Sequence, residues 1–585
     1  MKTPVIMAFV AAALLMTASA AQATTYEVGP GKAYENINDV PWESIAAGDT
    51  VLIYWREAPY KEKWVICAQG TEELPITVAG VPGPNGELPV IDGIDATTRV
   101  PQTNYWGENR SIIKVGGANI PADTTPQWIV IENLEVKSGR PPYYFTGRAG
   151  RTAYSNNAAA IWVEKCEHFK VKNCIMRDSG NGFFVSSSDD LASRDILVEG
   201  CYLYGNSNTS RTTEHNSYCA ALGILYQYNR YGPVRTGTGG TGLKDRSAGM
   251  VVRYNWIELS TTAGNRELDL VNGEDSILIR TDPTYLVSHV YGNILVEGMS
   301  GNRQIVHYGG DGGSNTTWRN GTLHFYNNTI VSTRTDRNTL FRLSGVNCVC
   351  DFRNCIYETA TTALNEIMAS DAGLCTTVMS HCWLNTGWVK GGGTLVDDGT
   401  SIVGDAPGFV DQAGQDYRLA WDSPCVNAGG PLNPAVLPDN NVIMQYVKHQ
   451  WGELRPVDGA IDIGAYEYQI QGDVVVDPRS VNLKSSGKVM TAYIGLPAPY
   501  SVADIDVSTV YIQSGDSEKI YALSEPTAVQ DYDMDGVPEL MVKFPRVDVQ
   551  GILAVGEAVG VTVGGQLTDG TGFAAQDTVR VFGGI

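Results

Sequence analysis

Short runs of apolar, β-branched and aromatic residues recur along the middle of the chain, and each ends near a bend. Helical periodicity is nearly absent, so the runs predict short β-strands. They are VIENLEV around Asn133, KVKNCIMR around Asn173, LVEGCYLY around Gly200, LYQYNRY around Asn229, VVRYNWIEL around Asn255, VYGNILV around Asn293, HFYNNTIV around Asn328, DFRNCIYE around Asn354 and VMSHCWLN around His381. Successive positions lie 26 to 40 residues apart, and the shortest steps cluster near 27.

Repeating strands at a near-constant step favour a solenoid of parallel strands. Asparagines at the same corner of each turn would stack, hydrogen-bond to one another and tolerate the left-handed backbone of a bend. A β-sandwich or a propeller is the alternative, although propeller blades run longer, at about 40–50 residues. We therefore predict an all-β solenoid over residues 24–470.

The texture of the sequence changes after residue 470, where GDVVVDPRSVNLKSSGKVMTAYIG opens a tail rich in valine and threonine. Its alternating strands predict a small β-sandwich over residues 471–585. Inside it, DYDMDGVPEL forms a D-x-D-x-DG loop, and alternate carboxylates with a turning glycine suit Ca²⁺ in a structural role. The expected ligands are Asp531, Asp533 and Asp535, with Glu539 acting through water. A plain acidic turn is the alternative.

The first 23 residues have the pattern of a secretory signal peptide. Lys2 gives the positive start, IMAFVAAALLM the apolar run, and Ala21-Gln22-Ala23 the small-residue cleavage site. The mature chain is expected to begin at Thr24 and to be secreted or periplasmic. No later stretch is long and apolar enough to predict a transmembrane helix.

The formal net charge of −22 disfavours nucleic acid as a partner, because nucleic acids are bound by clustered Lys and Arg. An acidic substrate would require a local basic patch or a bound cation. Eleven cysteines show no zinc-binding spacing, and several occupy equivalent places in the repeat. They predict buried ladder residues, with a disulfide framework as the alternative.

Polar residues recur 14 to 16 positions after the corner residues, which predicts a column on one face of the solenoid. Adjacent parallel strands lie about 4.8 Å apart, so six rungs would span roughly 24 Å, enough for several sugar units. A solvated polar face is the alternative. The column would contain Asp189, His215, Lys244, Asp269, His307 and Arg342, and Asp190, Asn216 and Asn272 lie close to its members in sequence.

This column suits β-elimination from a uronate, where a base removes the proton next to a carboxylate whose charge has been neutralised. Lys244, on the glycine-rich stretch GGTGLKDRSAG, is the candidate base with Arg246 beside it. His215 or His307 would protonate the leaving oxygen. The candidate substrate-binding residues are Asn216, Asn272 and Arg342, and a Ca²⁺ in the cleft would be held by Asp189, Asp190 or Asp269.

The repeat resembles the right-handed parallel β-helix proteins of the pectate-lyase-like superfamily over residues 26–469. Supporting stretches are GDTVLIYWREAPYKEKWVI, PITVAG and PVIDG near the start, and FVDQAGQDYRLAWDSPCVNAG and IDIGAYEYQ near the end. The resemblance implies a right-handed parallel β-helix, followed by the C-terminal β-sandwich. It does not specify a reaction, because the superfamily includes lyases, hydrolases, epimerases and non-catalytic members.

Three stretches are similar to a group of β-helix proteins described as polysaccharide-degrading: EHNSY (214–218), GLKDRSAGMVVRYNWIE (242–258) and RELDLVNGED (266–275). This similarity implies a lyase-like site at His215, Lys244 and Asp269. The GHG and RxK pattern of polygalacturonase-type hydrolases is absent, since VHYGG stands at 306–310. The acidic cluster typical of calcium-dependent lyases is thin.

The sequence thus predicts a secreted, monomeric lyase acting on an acidic polysaccharide. A glycosidase using Asp189 or Asp190 with Asp269 is an alternative, although three rungs would separate Asp189 from Asp269 by roughly 14 Å, beyond the carboxyl separations of glycosidases. A non-catalytic glycan-binding protein is another. Aromatic residues available to stack on sugars or to fill the interior are Tyr143, Tyr144, Tyr226, Tyr228, Tyr231 and Trp256.

Overall fold

Three long sheets wind along one axis in the computed structural model, which describes residues 23–583 apart from 103–105, 118–124, 260–263, 300, 315, 361–363, 372, 457–459 and 516. The predicted signal peptide lies outside the described residues, except for Ala23. Each turn adds one strand to each sheet, as in Ala248–Arg253, Trp256–Glu258 and Leu268–Leu270. The chain is therefore the right-handed parallel β-helix that the sequence predicts.

We name the sheets A, B and C in the order in which a turn visits them. Sheet A has 13 strands: Thr25–Val28, Thr50–Tyr54, Ile76–Val81, Gln127–Glu132, Glu167–Lys172, Arg194–Glu199, Leu222–Gln227, Ala248–Arg253, Val287–Tyr291, Thr322–Tyr326, Val349–Arg353, Thr376–Ser380 and Thr394–Asp397. Sheet B has 11 strands: Val90–Asp92, Glu135–Lys137, Ile175–Arg177, Tyr202–Tyr204, Arg230–Tyr231, Trp256–Glu258, Ile294–Glu297, Thr329–Ser332, Ile356–Thr359, Trp383–Asn385 and Ile402–Gly404.

Sheet C has 14 strands, and its pairing is parallel except for one hairpin at its end. In spatial order they are Gly150–Ala153, Tyr144–Gly147, Ala96–Thr98, Glu62–Ile66, Ser111–Val115, Ala159–Glu164, Asn181–Ser186, Ser217–Cys219, Leu243–Asp245, Leu268–Leu270, Gln304–Tyr308, Asn338–Leu343, Asn365–Ser370 and Val389–Gly391.

Helices are short and lie in the connections between strands. The α-helices are Ile277–Thr281 and Arg546–Ile552. The 3₁₀-helices are Ile37–Asp39, Trp42–Ser44, Val100–Gln102, Glu108–Arg110, Pro283–Leu286, Pro434–Val436 and Val502–Asp504.

The corner between sheets A and B contains two neighbouring columns instead of the single asparagine column expected. The bend residues have left-handed φ values of 48–65°, as at Asn327 (48°), Tyr254 (53°) and Gly292 (65°). The residues that follow them point inward and stack, and four of these form the asparagine ladder: Asn229, Asn255, Asn293 and Asn328. The main-chain N–H groups of Asn229, Asn255 and Asn293 each donate to the side-chain oxygen of the next asparagine in the ladder, at 2.9–3.0 Å.

Cysteines extend the asparagine ladder at both ends. Cys201 donates its N–H to the Asn229 side chain at 2.9 Å, and the Cys355 sulfur accepts the N–H of Asn328 at 3.3 Å. All eleven cysteines are buried. The prediction of buried ladder residues is confirmed, because sulfur fills the same inward position as the amide.

Two small hairpins precede the C-terminal sheets: Phe409–Asp411 with Asp416–Leu419, and Met444–Val447 with Trp451–Leu454. The C-terminal region has a six-stranded sheet of Ile470–Gln471, Ser480–Asn482, Ile505–Gln513, Ile520–Tyr521, Gly556–Leu567 and Gly572–Phe582. Its four-stranded sheet is Asp473–Asp477, Val489–Gly495, Leu523–Gln530 and Glu539–Pro545. The small C-terminal sheets are those predicted, while the domain boundary at 470/471 stays a prediction.

Candidate active site on the outer face of sheet C

One row of side chains crosses the outer face of sheet C from strand to strand. Residues on either side in each strand, such as Leu268 and Leu270, point into the core, so the residue between them points outward. Adjacent rungs are paired through their Cα positions. The row consists of Trp162, Phe184, Tyr218, Lys244, Asp269, His307 and Arg342.

Four of the six predicted column members therefore lie in the row, and two do not. Phe184 and Tyr218 occupy the rungs predicted for Asp189 and His215. The fixed offset fails there because the connection between sheets B and C differs in length in these turns. The row residue Asp269 follows its bend residue, Tyr254, by 15 positions, whereas Tyr218 follows its bend residue, Gly200, by 18 positions.

Lys244 lies between two carboxylates at the centre of the row. Its Nζ donates to Asp269 Oδ2 at 2.7 Å and also to Asp311. Burial alone would lower the pKa of Lys244, but Asp269 and Asp311 outweigh burial and raise it. In this arrangement Lys244 is a firmly protonated cation, which is the opposite of what the predicted base requires.

Arg246 completes a carboxylate clamp with Lys244. Its Nη2 lies 2.9 Å from Asp311 Oδ1, its Nη1 donates to the carbonyl of Asn272 at 2.6 Å, and its Nε donates to Tyr218 Oη at 2.8 Å. The Asp311 side chain is 23% exposed, whereas that of Arg246 is 6% exposed. Although burial favours the neutral form, Lys244 and Arg246 hold the pKa of Asp311 below its ordinary value.

Asp311 was not predicted, because it lies in the connection after the strand Gln304–Tyr308 and not in a strand. Asn272 helps to place it, since the Asn272 side-chain oxygen accepts the Asp311 N–H at 3.2 Å. Asn272 is fully buried, so its position supports the Asp311 connection, and the substrate-binding role expected of it stays a prediction. Only the folded connection brings Asp311 onto Lys244.

A chain of hydrogen bonds supports the buried side of the site. Asp269 Oδ1 lies 2.6 Å from His307 Nδ1, and His307 Nε2 lies 2.8 Å from Ser344 Oγ. Ser344 Oγ also contacts the backbone of Gly310 at 2.9 Å, next to Asp311. Burial lowers the pKa of His307 despite Asp269, so the ring is neutral. His307 is 1% exposed, and this position argues for a supporting role rather than for the predicted acid.

His215 lies beside the row, with its ring 5.4 Å from that of Tyr218. Its Nδ1 accepts the backbone N–H of Thr241 at 3.0 Å, which places the proton of the neutral ring on Nε2. Burial, reinforced by Lys244, lowers its pKa to about 3. Asn216 is fully buried and donates to the carbonyl of Gly232 at 2.8 Å, so it supports the backbone instead of facing the cleft.

An arginine-lined groove of about 300 Å³ adjoins the row on its C-terminal side. Arg266 donates to Gln304 at 2.8 Å at the edge of the groove, and Arg342 pairs in register with Ala369 in its wall. The lining residues are Asn302, Arg303, Gln304, Arg337, Thr339 and Ala369. Acidic partners accompany the arginines: Arg342 contacts Asp371 at 2.8 Å, and Arg337 contacts Glu366 at 2.5 Å. Arg303 likewise lies 3.9 Å from Asp336, so each of these arginines is accompanied by a carboxylate.

The three carboxylates expected to hold a cleft metal are not brought together. Asp189 and Asp190 are exposed, and Asp189 accepts the N–H of Ile277 at 2.6 Å, whereas Asp269 is buried. Within the described part of the chain, the one group of three candidate metal ligands is Asp531, Asp533 and Asp535 in the C-terminal loop. Glu539 lies outside this group, and its side chain accepts the N–H of Tyr532 at 2.6 Å.

The chain matches no family model and no curated protein. Solved structures similar to it include GH136 lacto-N-biosidase from Eubacterium ramulus, at 10% identity and a TM-score of 0.36 over 66% of this chain and 68% of that one. The tailspike protein gp49 from Pseudomonas phage LKA1 has 11% identity and a TM-score of 0.33 over 92% and 66%. A mannuronic acid specific polysaccharide family 6 lyase from human gut microbiota has 11% identity and a TM-score of 0.30 over 64% and 82%.

These neighbours thus include a polysaccharide lyase and a glycoside hydrolase. At TM-scores of 0.30–0.36, these three structures do not indicate the mechanism of this chain. Among the residues described, no helix is long and apolar enough to cross a membrane.

Proposed function

We propose that the protein cleaves an acidic, uronate-containing glycan by β-elimination on the outer face of sheet C. The observation that carries this proposal is the clamp of Lys244 and Arg246 around the partly exposed carboxylate of Asp311. Two buried cations holding one carboxylate form a ready-made receptor for another, and a uronate carboxylate would take the place of Asp311. Neutralising that carboxylate is what makes the adjacent proton removable.

The raised pKa of Lys244 assigns it the neutralising role in this proposal. Tyr218 is the better candidate for proton transfer, because its oxygen accepts from Arg246 Nε at 2.8 Å and lies on the rung next to Lys244. Tyr218 Oη, held in place by Arg246, would be the atom that takes the proton next to the carboxylate. The bond from the β-carbon to the glycosidic oxygen would then break to give an unsaturated uronate, and the departing oxygen would take a proton from the site or from water.

A glycosidase is the second candidate, favoured by one specific distance. Asp269 and Asp311 share the Lys244 ammonium, so two hydrogen bonds of ordinary length place their oxygens within about 5.5 Å of each other. Retaining glycosidases have their two carboxyl groups about 5–5.5 Å apart. Both carboxyls nevertheless have pKa values below the ordinary range, so neither is the protonated acid that hydrolysis requires.

The test is to incubate the chain from Thr24 onward with a panel of uronate polymers and to follow the ultraviolet absorbance of unsaturated ends. Tyr218→Phe should lower turnover by about 10²-fold or more and leave binding largely intact, because general acid–base groups contribute about 10²–10⁴. Tyr204→Phe, on sheet B, is the matched control. Lys244→Gln should weaken both binding and turnover, whereas Lys170→Gln, exposed on sheet A, should change neither.

Three other results would each change the proposed function. New reducing ends without absorbance would replace elimination by hydrolysis at Asp269 and Asp311. Binding without either signal would support a non-catalytic glycan-binding protein. Full activity in Tyr218→Phe would remove this tyrosine from the mechanism.

A further inference from the structure

The cleft has a second half, on the N-terminal side of Lys244, in which aromatic rings occupy the row and Arg110 lies against them. Trp162, Phe184 and Tyr218 occupy the three rungs before Lys244, and Trp106 packs at the far end. We name these four residues the aromatic row. Neighbouring ring centroids are 5.1 Å apart for Trp106 and Trp162, 6.1 Å for Trp162 and Phe184, and 5.2 Å for Phe184 and Tyr218.

Trp162, within the aromatic row, is fixed by contacts with its neighbours. Trp162 is 1% exposed, its Nε1 donates to Ser186 at 2.9 Å, and Arg110 and Lys114 lie over its ring at 4.5 and 4.2 Å. Trp106 lies above it and is 58% exposed, while its carbonyl accepts from Lys114 Nζ at 2.6 Å. Phe184 and Tyr218 are partly buried, between this fixed end and Lys244.

Packing accounts for the buried ring of Trp162, but not for the more accessible rings of Trp106, Phe184 and Tyr218. On sheet B, Trp256 is covered by Tyr417, which stacks on it at 5.5 Å. On sheet A, the outward positions Leu197, Leu225 and Val251 form consecutive rungs without an aromatic residue. Among the described residues, the ring contacts of Phe184 are those with its neighbours in the row, apart from Arg110 at 5.4 Å.

We infer that the accessible rings of the aromatic row, those of Trp106, Phe184 and Tyr218, bind neutral pyranose residues of the same glycan whose uronate lies at Lys244, and that buried Trp162 supports them. Rungs about 4.8 Å apart match a chain of pyranose units running along the sheet. The apolar C–H faces of neutral sugars pack on aromatic rings, whereas carboxylates would find partners at Lys244 and Arg246. The cations among the rings are already engaged, Arg110 over Trp162 at 4.5 Å and Lys114 with Glu164 at 3.0 Å. The substrate class is then a heteropolysaccharide with neutral sugars on one side of the cleaved bond and uronates on the other. This inference rests on the proposed function for its orientation but is tested by binding.

The experiment measures retardation of the full chain in native gels that contain either xanthan, with neutral sugars and glucuronate, or homogalacturonan, with uronates alone. Trp106→Ala should weaken binding to xanthan by about tenfold, an ordinary value for an aromatic contact, and leave binding to homogalacturonan unchanged. Trp421→Ala is the matched control, because Trp421 is 56% exposed and lies outside sheet C. Arg303→Gln should weaken binding to homogalacturonan and thus give the reciprocal pattern.

Phe184→Leu provides a second variant nearer the site, and it should reproduce the selective loss with an unchanged unfolding midpoint. The inference is overturned if Trp106→Ala and Phe184→Leu bind xanthan as the native chain does, or if they weaken both polymers equally. It is also overturned if xanthan does not retard the native chain. Selective binding without any lyase absorbance would instead retain the aromatic row and reject the proposed reaction, so the two failures are distinguishable.

Discussion

The asparagine ladder should be a major source of stability for the solenoid, and Asn255→Ala tests this directly. Asn255 is fully buried. Its Nδ2 donates to the carbonyls of Tyr226 and Arg253 at 3.0 and 2.9 Å and to the Asn293 oxygen at 3.0 Å. Its Oδ1 accepts both the backbone N–H and the Nδ2 of Asn229, at 3.0 and 2.9 Å.

The magnitude follows from what the substitution leaves behind. The Asn229 N–H would become a buried donor without its acceptor, at a cost of about 1–3 kcal/mol, and each lost bond whose partner keeps another contact adds about 1 kcal/mol. Nδ2 of Asn229 keeps such a contact, with the carbonyl of Val198 at 2.8 Å. Because Nδ2 of Asn255 has two hydrogens, two donated bonds are lost besides the two accepted from Asn229, and the free energy of unfolding should fall by about 4–6 kcal/mol in Asn255→Ala.

Asn255→Cys is the informative comparison, because cysteine already occupies this column. The Cys355 sulfur accepts the Asn328 N–H at 3.3 Å, so a cysteine at 255 should accept from Asn229 and cost only about 2 kcal/mol. Urea unfolding followed by tryptophan fluorescence measures both variants, with exposed Asn85→Ala as the control. A loss below 1 kcal/mol in Asn255→Ala, or equal losses in the alanine and cysteine variants, would refute the reasoning.

Three further predictions concern other parts of the chain. Arg319→Met should lower the free energy of unfolding by about 3–5 kcal/mol in a urea titration, since Arg319 is fully buried and donates to three backbone carbonyls at 2.7, 3.1 and 3.2 Å; a loss under 1 kcal/mol would contradict this. Burial raises the pKa of Glu267 well above its ordinary value and that of Glu297 to about 7, so the folded state binds more protons than the unfolded state between about pH 4.3 and pH 7. Stability should therefore fall as pH rises through that window, and Glu267→Gln should flatten the slope, whereas an unchanged slope would reject the assignment. Calcium should raise the unfolding midpoint of the C-terminal sheets through the D-x-D-x-DG loop, and Asp533→Asn should abolish the shift in a calcium titration followed by calorimetry.

The sequence by itself determined the fold, because each turn repeats the same local sequence pattern. A strand of alternating inward and outward residues, as in Ala248–Arg253, is followed by a bend residue and an inward asparagine or cysteine. These signals lie within a few residues of one another, so their period survives any insertion in the loops between them. Lys244, Asp269, His307 and Arg342 were predictable for the same reason, since the offset from bend to row is nearly constant in their turns.

Only the tertiary structure decided which groups surround Lys244. Asp311 reaches it from a connection 67 residues later in the chain, and Tyr218 takes the rung that a fixed offset gave to His215, because the preceding connection is longer. The two carboxylates then reverse the expected chemistry of Lys244 by raising its pKa, an effect that depends on distances across turns. Sequence spacing fixes which residues share a face, but charge and proton affinity are set by neighbours that loops of variable length bring within hydrogen-bonding distance.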